Sequence, residues 1–247
     1  MALKTSDEYV ERLKKMKPNL YAYGKQIRRD DPMLEKPINV LRLTFDLAQD
    51  PAYKDLMVTQ SHLTGEPINR FTSLNLSIED LYKQQEMKRS LCHKVGGCIQ
   101  RCMATDTLNA MGVVTKEIDD AKGTQYHDHF LKFLKYYQTN DLVGSASQTD
   151  PKGDRKARPH QQKDPDLYLH IVKKDKKGII VRGAKNHITM GPYVDEHLVI
   201  PTRALTEKES DWAVSFAIPA DTDGIKLISR ITSPRPRINL QAPYNDY

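Results

Sequence analysis

The stretch LYLHIVKKDKKGIIV, residues 167–181, decides the interpretation of the fold, because it marks a change from helices to strands. Apolar Leu167, Leu169 and Ile171 recur at every second position, residues 175–178 are typical of a turn, and Ile179 begins a second apolar run. Period-two alternation on both sides of a turn predicts a β-hairpin. Apolar runs predict three further strands, at residues 198–202, 212–218 and 225–231.

The chain before this hairpin has a helical pattern. Thr5 and Ser77 are each followed three residues later by an acidic residue, which is the spacing of a capping box and predicts that helices begin there. Residues 78–121 contain no proline, and apolar residues recur at helical spacing. Paired glycines, Gly96 and Gly97, predict a close contact, a bend or a break within this region. Residues 130–137 predict one more helix.

The sequence therefore predicts an α+β fold with an N-terminal α-helical domain, residues 1–142, followed by a β-domain, residues 143–247. Residues 144–163 are rich in Gly, Ser, Asp, Pro and Lys and are expected to be a loop. About five strands would leave an open sheet edge and an uncovered face. We expect the β-domain to be incomplete, with another chain or further sequence covering it.

Composition restricts the location and the class of partner. The chain has 247 residues, a net charge of +6 and a mean hydropathy of −0.64. No stretch reaches the roughly 18 apolar residues of a membrane helix, and the charged N-terminus is unlike a secretory signal, so we expect a cytoplasmic protein without a membrane partner. The basic residues are dispersed and are not interleaved with aromatic residues, which argues against nucleic acid. The positive charge fits either an ordinary solvated surface or an anionic cofactor.

All three cysteines, Cys92, Cys98 and Cys102, fall within eleven residues. On a continuous helix Cys98 and Cys102 would share one face, about 5–6 Å apart at Cβ. Two thiolates suit zinc or an iron–sulfur cluster, although such sites normally need four ligands. Cys92 is a poor third ligand unless the helix breaks at Gly96. The alternative is that the pair consists of small buried side chains on a helix.

Two further segments have compositions that suit a ligand. Residues 149–155, TDPKGDR, could surround a phosphate or a ribityl chain, and residues 183–189, GAKNHIT, could present polar groups to a flat ring at the end of a strand. Taken singly, each segment is more typical of an ordinary turn or loop than of a ligand site. The sequence contains no GxSxG, P-loop or GxGxxG motif.

Several separated motifs together resemble the 4-hydroxyphenylacetate 3-hydroxylase superfamily, which has an acyl-CoA dehydrogenase-like fold. They are LAQDP at 47–51, INRF at 68–71, QRC at 100–102, TDPKGDR at 149–155, KDPDL at 163–167, VRGAK at 181–185 and SFA at 215–217. The aromatic hydroxylases of the superfamily generally lack the paired cysteines. The pair at Cys98 and Cys102 therefore favours the branch that dehydrates a CoA ester.

The resemblance implies two cofactors. FAD would lie between the helical and β layers, with Thr189 as a catalytic residue hydrogen-bonded to the reactive flavin nitrogen. The implied FAD-binding residues are Gln148, Thr149, Asp150, Lys152, Asp154, Arg155, His187 and Thr189. Cys98 and Cys102 would ligate a [4Fe-4S] cluster, completed by a histidine and a cysteine from a later segment.

The implied reaction is dehydration of 4-hydroxybutyryl-CoA to crotonyl-CoA by a flavin-radical mechanism, with an associated vinylacetyl-CoA isomerisation. The implied partners are an acyl-CoA substrate and a C-terminal helical bundle, supplied by a later segment or a partner chain, in a tetramer-like homo- or hetero-oligomer. Two alternatives remain open. One is a flavin-dependent monooxygenase component acting on phenols, with structural cysteines, and the other is a non-enzymatic basic interaction module.

Overall fold

The computed structural model describes residues 3–230, which form six α-helices and ten short β-strands. The helices are α1 (Ser6–Lys15), α2 (Glu35–Gln49), α3 (Lys54–Met57), α4 (Ile78–Val95), α5 (Cys102–Lys122) and α6 (Tyr126–Thr139). The strands are β1 (Leu20–Ala22), β2 (Lys25–Ile27), β3 (Val58–Gln60), β4 (Pro67–Asn69), β5 (Gly144–Ser147), β6 (His170–Asp175), β7 (Gly178–Arg182), β8 (Glu196–Val199), β9 (Phe216–Pro219) and β10 (Leu227–Ser229). The mixture of helix and sheet confirms the predicted secondary-structure class.

Two predicted helix starts are confirmed in atomic detail. Thr5 caps α1, since its Oγ1 accepts a bond from the backbone N–H of Glu8 at 3.2 Å, while the Glu8 carboxylate accepts one from the Thr5 N–H at 2.8 Å. Ser77 and Asp80 make the same reciprocal pair at the start of α4. A capping box satisfies two N–H groups that the helix itself leaves unpaired, so this local signal is reliable in sequence.

The strands form four small sheets. In the central one, β8 lies between β5, which runs parallel to it, and β9, which is antiparallel. In a second, β1 pairs with β2 and, in parallel, with β10, which returns the chain to its N-terminal part. Strands β3 and β4 pair with each other, and the predicted hairpin is confirmed as β6–β7.

Two predictions about the strands are wrong. Residues 144–147 were expected to be loop, but they form the buried strand β5, because they pair in parallel with β8, about fifty residues further along the chain. Trp212 was expected in a strand, but it ends the 3₁₀ helix Glu207–Trp212, where its ring stacks on His170 with centroids 5.1 Å apart. The last predicted strand is observed as β10, and residue 231 lies outside the described residues.

The core contains apolar residues from both halves of the chain. Tyr9 and Phe45, from α1 and α2, pack in one cluster with Val143 and Val194. Two other clusters bury the inner faces of α2–α4 and of α5–α6. Residues on both sides of position 142 share this packing, and the division into two domains stays a prediction. Among residues 3–230, no helix combines the length and apolarity required to cross a membrane.

Candidate functional site

The cysteine region is a loop between two helices. Helix α4 ends at Val95, and Gly96 adopts a left-handed conformation (φ +64°) that ends helices and that glycine adopts without steric cost. Residues 98–100 are irregular, and α5 begins at Cys102. The prediction that Cys98 and Cys102 share one helix face is therefore wrong. We call residues 96–102 the thiol loop.

The three thiols are close enough to influence one another. Cys98 is exposed, while Cys92 and Cys102 are half-buried. Burial raises the pKa of Cys102 to about 11, and the neighbouring sulfurs of Cys98 and Cys92 add to that rise. The charge of Lys88 opposes this rise without offsetting it, so Cys102 is a neutral thiol near pH 7.

The donor set fits half of a cluster site. Two thiols in one loop supply soft ligands, which iron–sulfur clusters require in fours. Within residues 3–230, no group of three or more His, Cys, Asp or Glu side chains is placed to hold a metal ion. In this part of the chain, Cys98 and Cys102 thus stay candidate ligands, and a four-ligand site would need further donors.

A buried ion pair anchors the thiol loop. Arg101 Nη2 lies 2.6 Å from Asp141 Oδ1, and both side chains are almost fully buried. Arg101 also donates to Thr44 Oγ1 at 2.8 Å, and its guanidinium lies 4.3 Å from the centre of the Phe45 ring. The arginine of the QRC motif is thus a structural residue between the two candidate ligands.

The two candidate flavin segments are joined directly. Lys185 Nζ is 2.7 Å from Asp150 Oδ1 and donates to the Gln148 carbonyl at 2.8 Å. The Asn186 N–H donates to the Thr149 carbonyl at 2.8 Å. These contacts hold residues 148–150, at the end of β5, against residues 185–186, which follow β7. The resemblance implied that both segments lie at a flavin, and the structure shows that they are neighbours.

A small pocket opens beside the Lys185–Asp150 pair. Its lining includes Asp150, Lys185, Arg203 and Trp212. The indole N–H of Trp212 is buried and has no acceptor among the described residues. The space is no larger than about one water molecule, so it can hold a water that accepts from this N–H but not a phosphate group.

The predicted FAD-binding residues divide into two groups. Asp150 is paired with Lys185, and the Asp154 carboxylate accepts from the Lys156 N–H at 2.9 Å within its own turn. Six others are exposed, and their side chains make no hydrogen bond to any residue in 3–230. They are Gln148, Thr149, Lys152, Arg155, His187 and Thr189. These six side chains remain available to a ligand, whereas the carboxylates of Asp150 and Asp154 are already bonded to other residues of this chain.

Backbone strain concentrates next to Thr189. The backbones of His187 (φ +54°) and Met190 (φ +67°) are in the left-handed region, which residues other than glycine rarely adopt. Such strain is typical of binding and catalytic segments. Gly191–Tyr193 follows as a short 3₁₀ helix. Because the resemblance implies that this segment contacts FAD, we call residues 183–193 the flavin loop.

Sequence analysis missed a buried polar cluster on the central sheet. His197 Nδ1 lies 2.8 Å from Ser145 Oγ, and its Nε2 is buried without a partner in the described part of the chain. Burial lowers the pKa of His197 to about 4 and raises the pKa of its neighbour Glu196 to about 7, with help from Asp195 and Asp221. No spacing motif marks these residues, because only the pairing of β5 with β8 brings them together.

These two groups should affect stability with opposite dependence on pH. The pKa of His197 is lower in the fold than its ordinary 6.5, so its contribution is present above that value and is lost as the pH falls towards 4. The pKa of Glu196 is higher in the fold than its ordinary 4.5, so its contribution is present at low pH and is lost as the pH rises through 7. Each contribution amounts to about 3 kcal/mol.

We expect the two effects nearly to cancel in the wild type between about pH 4.5 and 6.5. In Glu196→Gln, the unfolding free energy should rise with pH over this range relative to the wild type. In His197→Gln, it should fall with pH relative to the wild type. Urea unfolding from pH 4.5 to 7 checks this, and parallel profiles for the two variants would contradict the assignment.

The family model described as 4-hydroxyphenylacetate 3-hydroxylase N terminal matches residues 5–245. The chain belongs to this family. Its members include dissimilar activities, so the closeness of individual relatives bears on what this chain does. The family match confirms the resemblance seen in the sequence and identifies the N-terminal part of such a protein.

Two curated relatives illustrate the range of activities in the family. The chain is 48% identical to the 4-hydroxybutyryl-CoA dehydratase/vinylacetyl-CoA-Delta-isomerase of Clostridium aminobutyricum, over 92% of this chain and 46% of that protein. It is 28% identical to the 4-hydroxyphenylacetate 3-monooxygenase oxygenase component of Geobacillus sp. (strain PA-9), over 93% of this chain and 47% of that protein. The chain spans about half the length of the curated relatives it matches. Both are enzymes, which supports an enzyme over a basic interaction module.

Among the solved structures too, a dehydratase is more similar to this chain than a monooxygenase component is. An oxygen-tolerant archaeal 4-hydroxybutyryl-CoA dehydratase from N. maritimus superposes with a TM-score of 0.88 at 40% identity, covering 92% of this chain and 45% of that one. The oxygenase component of 4-hydroxyphenylacetate 3-monooxygenase complexed with FAD superposes with a TM-score of 0.81 at 24% identity, covering 92% and 47%. The second match shows a shared fold.

Proposed function

We propose that this chain forms the N-terminal part of an FAD- and [4Fe-4S]-dependent dehydratase that converts 4-hydroxybutyryl-CoA to crotonyl-CoA. The observation that carries the proposal is the 48% identity to a dehydratase/isomerase over 92% of the chain, against 28% to a monooxygenase component. The thiol loop agrees with it, because Cys98 and Cys102 can supply half of the ligands of a cluster.

Different residues of the chain would bind the two cofactors. The six exposed side chains that make no internal hydrogen bonds would contact FAD, while Lys185 and Asp150 hold the two segments that carry them. Cys98 and Cys102 would hold one side of the cluster. When bound, FAD supplies an acceptor for a hydrogen that is otherwise hard to remove, and the cluster supplies a Lewis acid for the leaving hydroxyl.

A complementary polypeptide is part of the proposal. We infer that a helical bundle, on a later segment or on a partner chain, supplies the remaining cluster ligands, a histidine and a cysteine, and part of the acyl-CoA pocket. The coverage of 46% of the dehydratase relative motivates this inference. An acyl-CoA dehydrogenase-like arrangement in a tetramer-like oligomer would bring the parts together.

The second candidate is a flavin monooxygenase component acting on a phenol. It is favoured by the 28% identity to such a component and by the shared fold of its FAD complex. In that case Cys98 and Cys102 would have only structural roles.

One paired assay separates the two candidates. The assembled enzyme, purified without oxygen, would receive 4-hydroxybutyryl-CoA in one arm, and 4-hydroxyphenylacetate with reduced flavin and oxygen in the other. The proposal predicts crotonyl-CoA in the first arm and no catechol in the second. Catechol formation without any crotonyl-CoA would contradict it.

Thr189 is the residue that we propose to act at the flavin. It is exposed and lies between two strained residues. We expect Thr189→Val to retain FAD, since the shape is kept, but to lower turnover and move the flavin potential modestly, because a lost hydrogen bond costs about 0.5–1.5 kcal/mol. Thr139→Val, at an exposed threonine of α6 outside both candidate segments, is the matched control and should behave as the wild type. Unchanged turnover and an unchanged potential in Thr189→Val would exclude this role.

A further inference from the structure

The thiol loop and the flavin loop touch through one hydrogen bond. The Tyr193 hydroxyl lies 3.1 Å from Gln100 Oε1 and donates to it. Gln100 lies between the two candidate cluster ligands, and Tyr193 lies four residues after Thr189. Burial raises the pKa of Tyr193 to about 12, so this hydroxyl keeps its proton throughout the neutral range.

Gln100 has an unfavourable backbone conformation that its neighbours must stabilise. Its backbone has φ +64°, a left-handed conformation that is unfavourable for a residue with a side chain. On one side Ile99 is buried in the core, and on the other Arg101 is fixed by its ion pair. The side chain of Gln100 is tied at its end by Tyr193. The position of the thiol loop thus depends in part on the Tyr193 hydroxyl.

Tyr193 is itself held rigidly at its backbone. Its N–H donates to the Met190 carbonyl at 2.8 Å, and its carbonyl accepts from the Tyr9 hydroxyl at 2.7 Å. Its ring belongs to the core cluster of α1 and α2. A movement of Tyr193 would therefore move Met190, and with it the backbone next to Thr189.

We propose that Tyr193 is a positioning residue that couples the thiol loop to the flavin loop, so that ligand binding at one loop constrains the other. This inference rests on the proposed function, because it assigns FAD to the flavin loop. The coupling passes through one named contact, which a single hydroxyl deletion removes.

The first arm of the test measures the contact without any cofactor. Iron-free, FAD-free assembled enzyme would be treated with iodoacetamide, and the alkylation rate at Cys98 followed by peptide mass spectrometry. Cys98 is the exposed thiol, whereas burial raises the pKa of Cys102. We expect Tyr193→Phe and Gln100→Ala each to change this rate several-fold. The double variant should show no further change, since both remove one interaction.

The second arm measures coupling. Saturating FAD should slow the alkylation of Cys98 in the wild type, and this protection should be lost in Tyr193→Phe. The control is Tyr136→Phe, which removes a half-exposed hydroxyl elsewhere and should behave as the wild type. Circular dichroism melting would show that each variant is folded.

The outcomes separate the inference from the proposed function. In the first arm, alkylation of Cys98 at the wild-type rate in Tyr193→Phe would contradict a role for the Tyr193–Gln100 contact. Additive effects in the double variant would contradict it as well. Equal protection by FAD in the wild type and Tyr193→Phe would overturn the coupling. Failure of the wild type to bind FAD would overturn the proposed function and with it the coupling, while the first arm still decides the contact.

Discussion

Replacing Arg101 by Met should lower the unfolding free energy by about 3–5 kcal/mol, because it leaves a buried carboxylate without its partner. Asp141 is fully buried, and Arg101 is its 2.6 Å ion-pair partner. Methionine keeps much of the side-chain volume, so the loss reports mainly on charge and hydrogen bonding. Chemical unfolding of the purified protein, followed by circular dichroism, measures it.

Two further variants test the explanation. Arg89→Met removes an exposed arginine from α4 and should change stability by less than about 0.5 kcal/mol. Adding Asp141→Asn to Arg101→Met should recover part of the loss, since the neutral amide leaves no isolated charge and asparagine tolerates the left-handed backbone of position 141 (φ +47°). A loss below about 1 kcal/mol for Arg101→Met would show that the ion pair does not hold the thiol loop.

Replacing Lys185 by Met should weaken FAD binding at least tenfold and lower stability by about 3 kcal/mol. Lys185 and Asp150 are mostly buried, with 11% and 13% of their side chains exposed. The same ammonium donates to the carbonyls of Gln148 and Ile200. Its loss removes these bonds and leaves the mostly buried Asp150 carboxylate without its cation, while the Gln148 carbonyl keeps its bond from the Thr202 hydroxyl. The bond from the Asn186 N–H to the Thr149 carbonyl would then be the remaining direct link described between the segment at 148–150 and residues 185–186.

FAD titration by fluorescence quenching, with parallel unfolding experiments, checks both effects. Lys152→Met is the matched control, because Lys152 is an exposed lysine of the same segment and makes no hydrogen bond or ion pair within residues 3–230. It should weaken FAD binding only through lost charge and leave stability unchanged. Equal stability of the two variants would contradict the structural role of Lys185.

The features predicted correctly from sequence were local ones. Capping boxes at Thr5 and Ser77 and the turn at residues 175–178 act over a few residues, so their signals are present in the sequence itself. The glycine pair marked the place of the helix break, although a bend or a close contact was equally possible. Resolving that choice requires the backbone conformation of Gly96.

The errors and omissions have long-range causes. Strand β5 has small residues of low strand propensity, and it is a strand only because it pairs with β8. Arg101 and Asp141 are forty residues apart in the chain, and Lys185 and Asp150 thirty-five. Such ion pairs carry no spacing signal, and so a sequence motif can indicate that a segment is functional without separating its structural residues from its ligand-binding ones.

Iron content in variants of the three cysteines tests whether this chain ligates a cluster. The chain would be assembled without oxygen with its complementary segment, and iron per chain determined for Cys92→Ala, Cys98→Ala and Cys102→Ala. We expect about four iron atoms per chain in the wild type and in Cys92→Ala. Most of that iron should be lost in Cys98→Ala and in Cys102→Ala. Wild-type iron content in both of these variants would contradict the proposal that this chain holds one side of an iron–sulfur cluster.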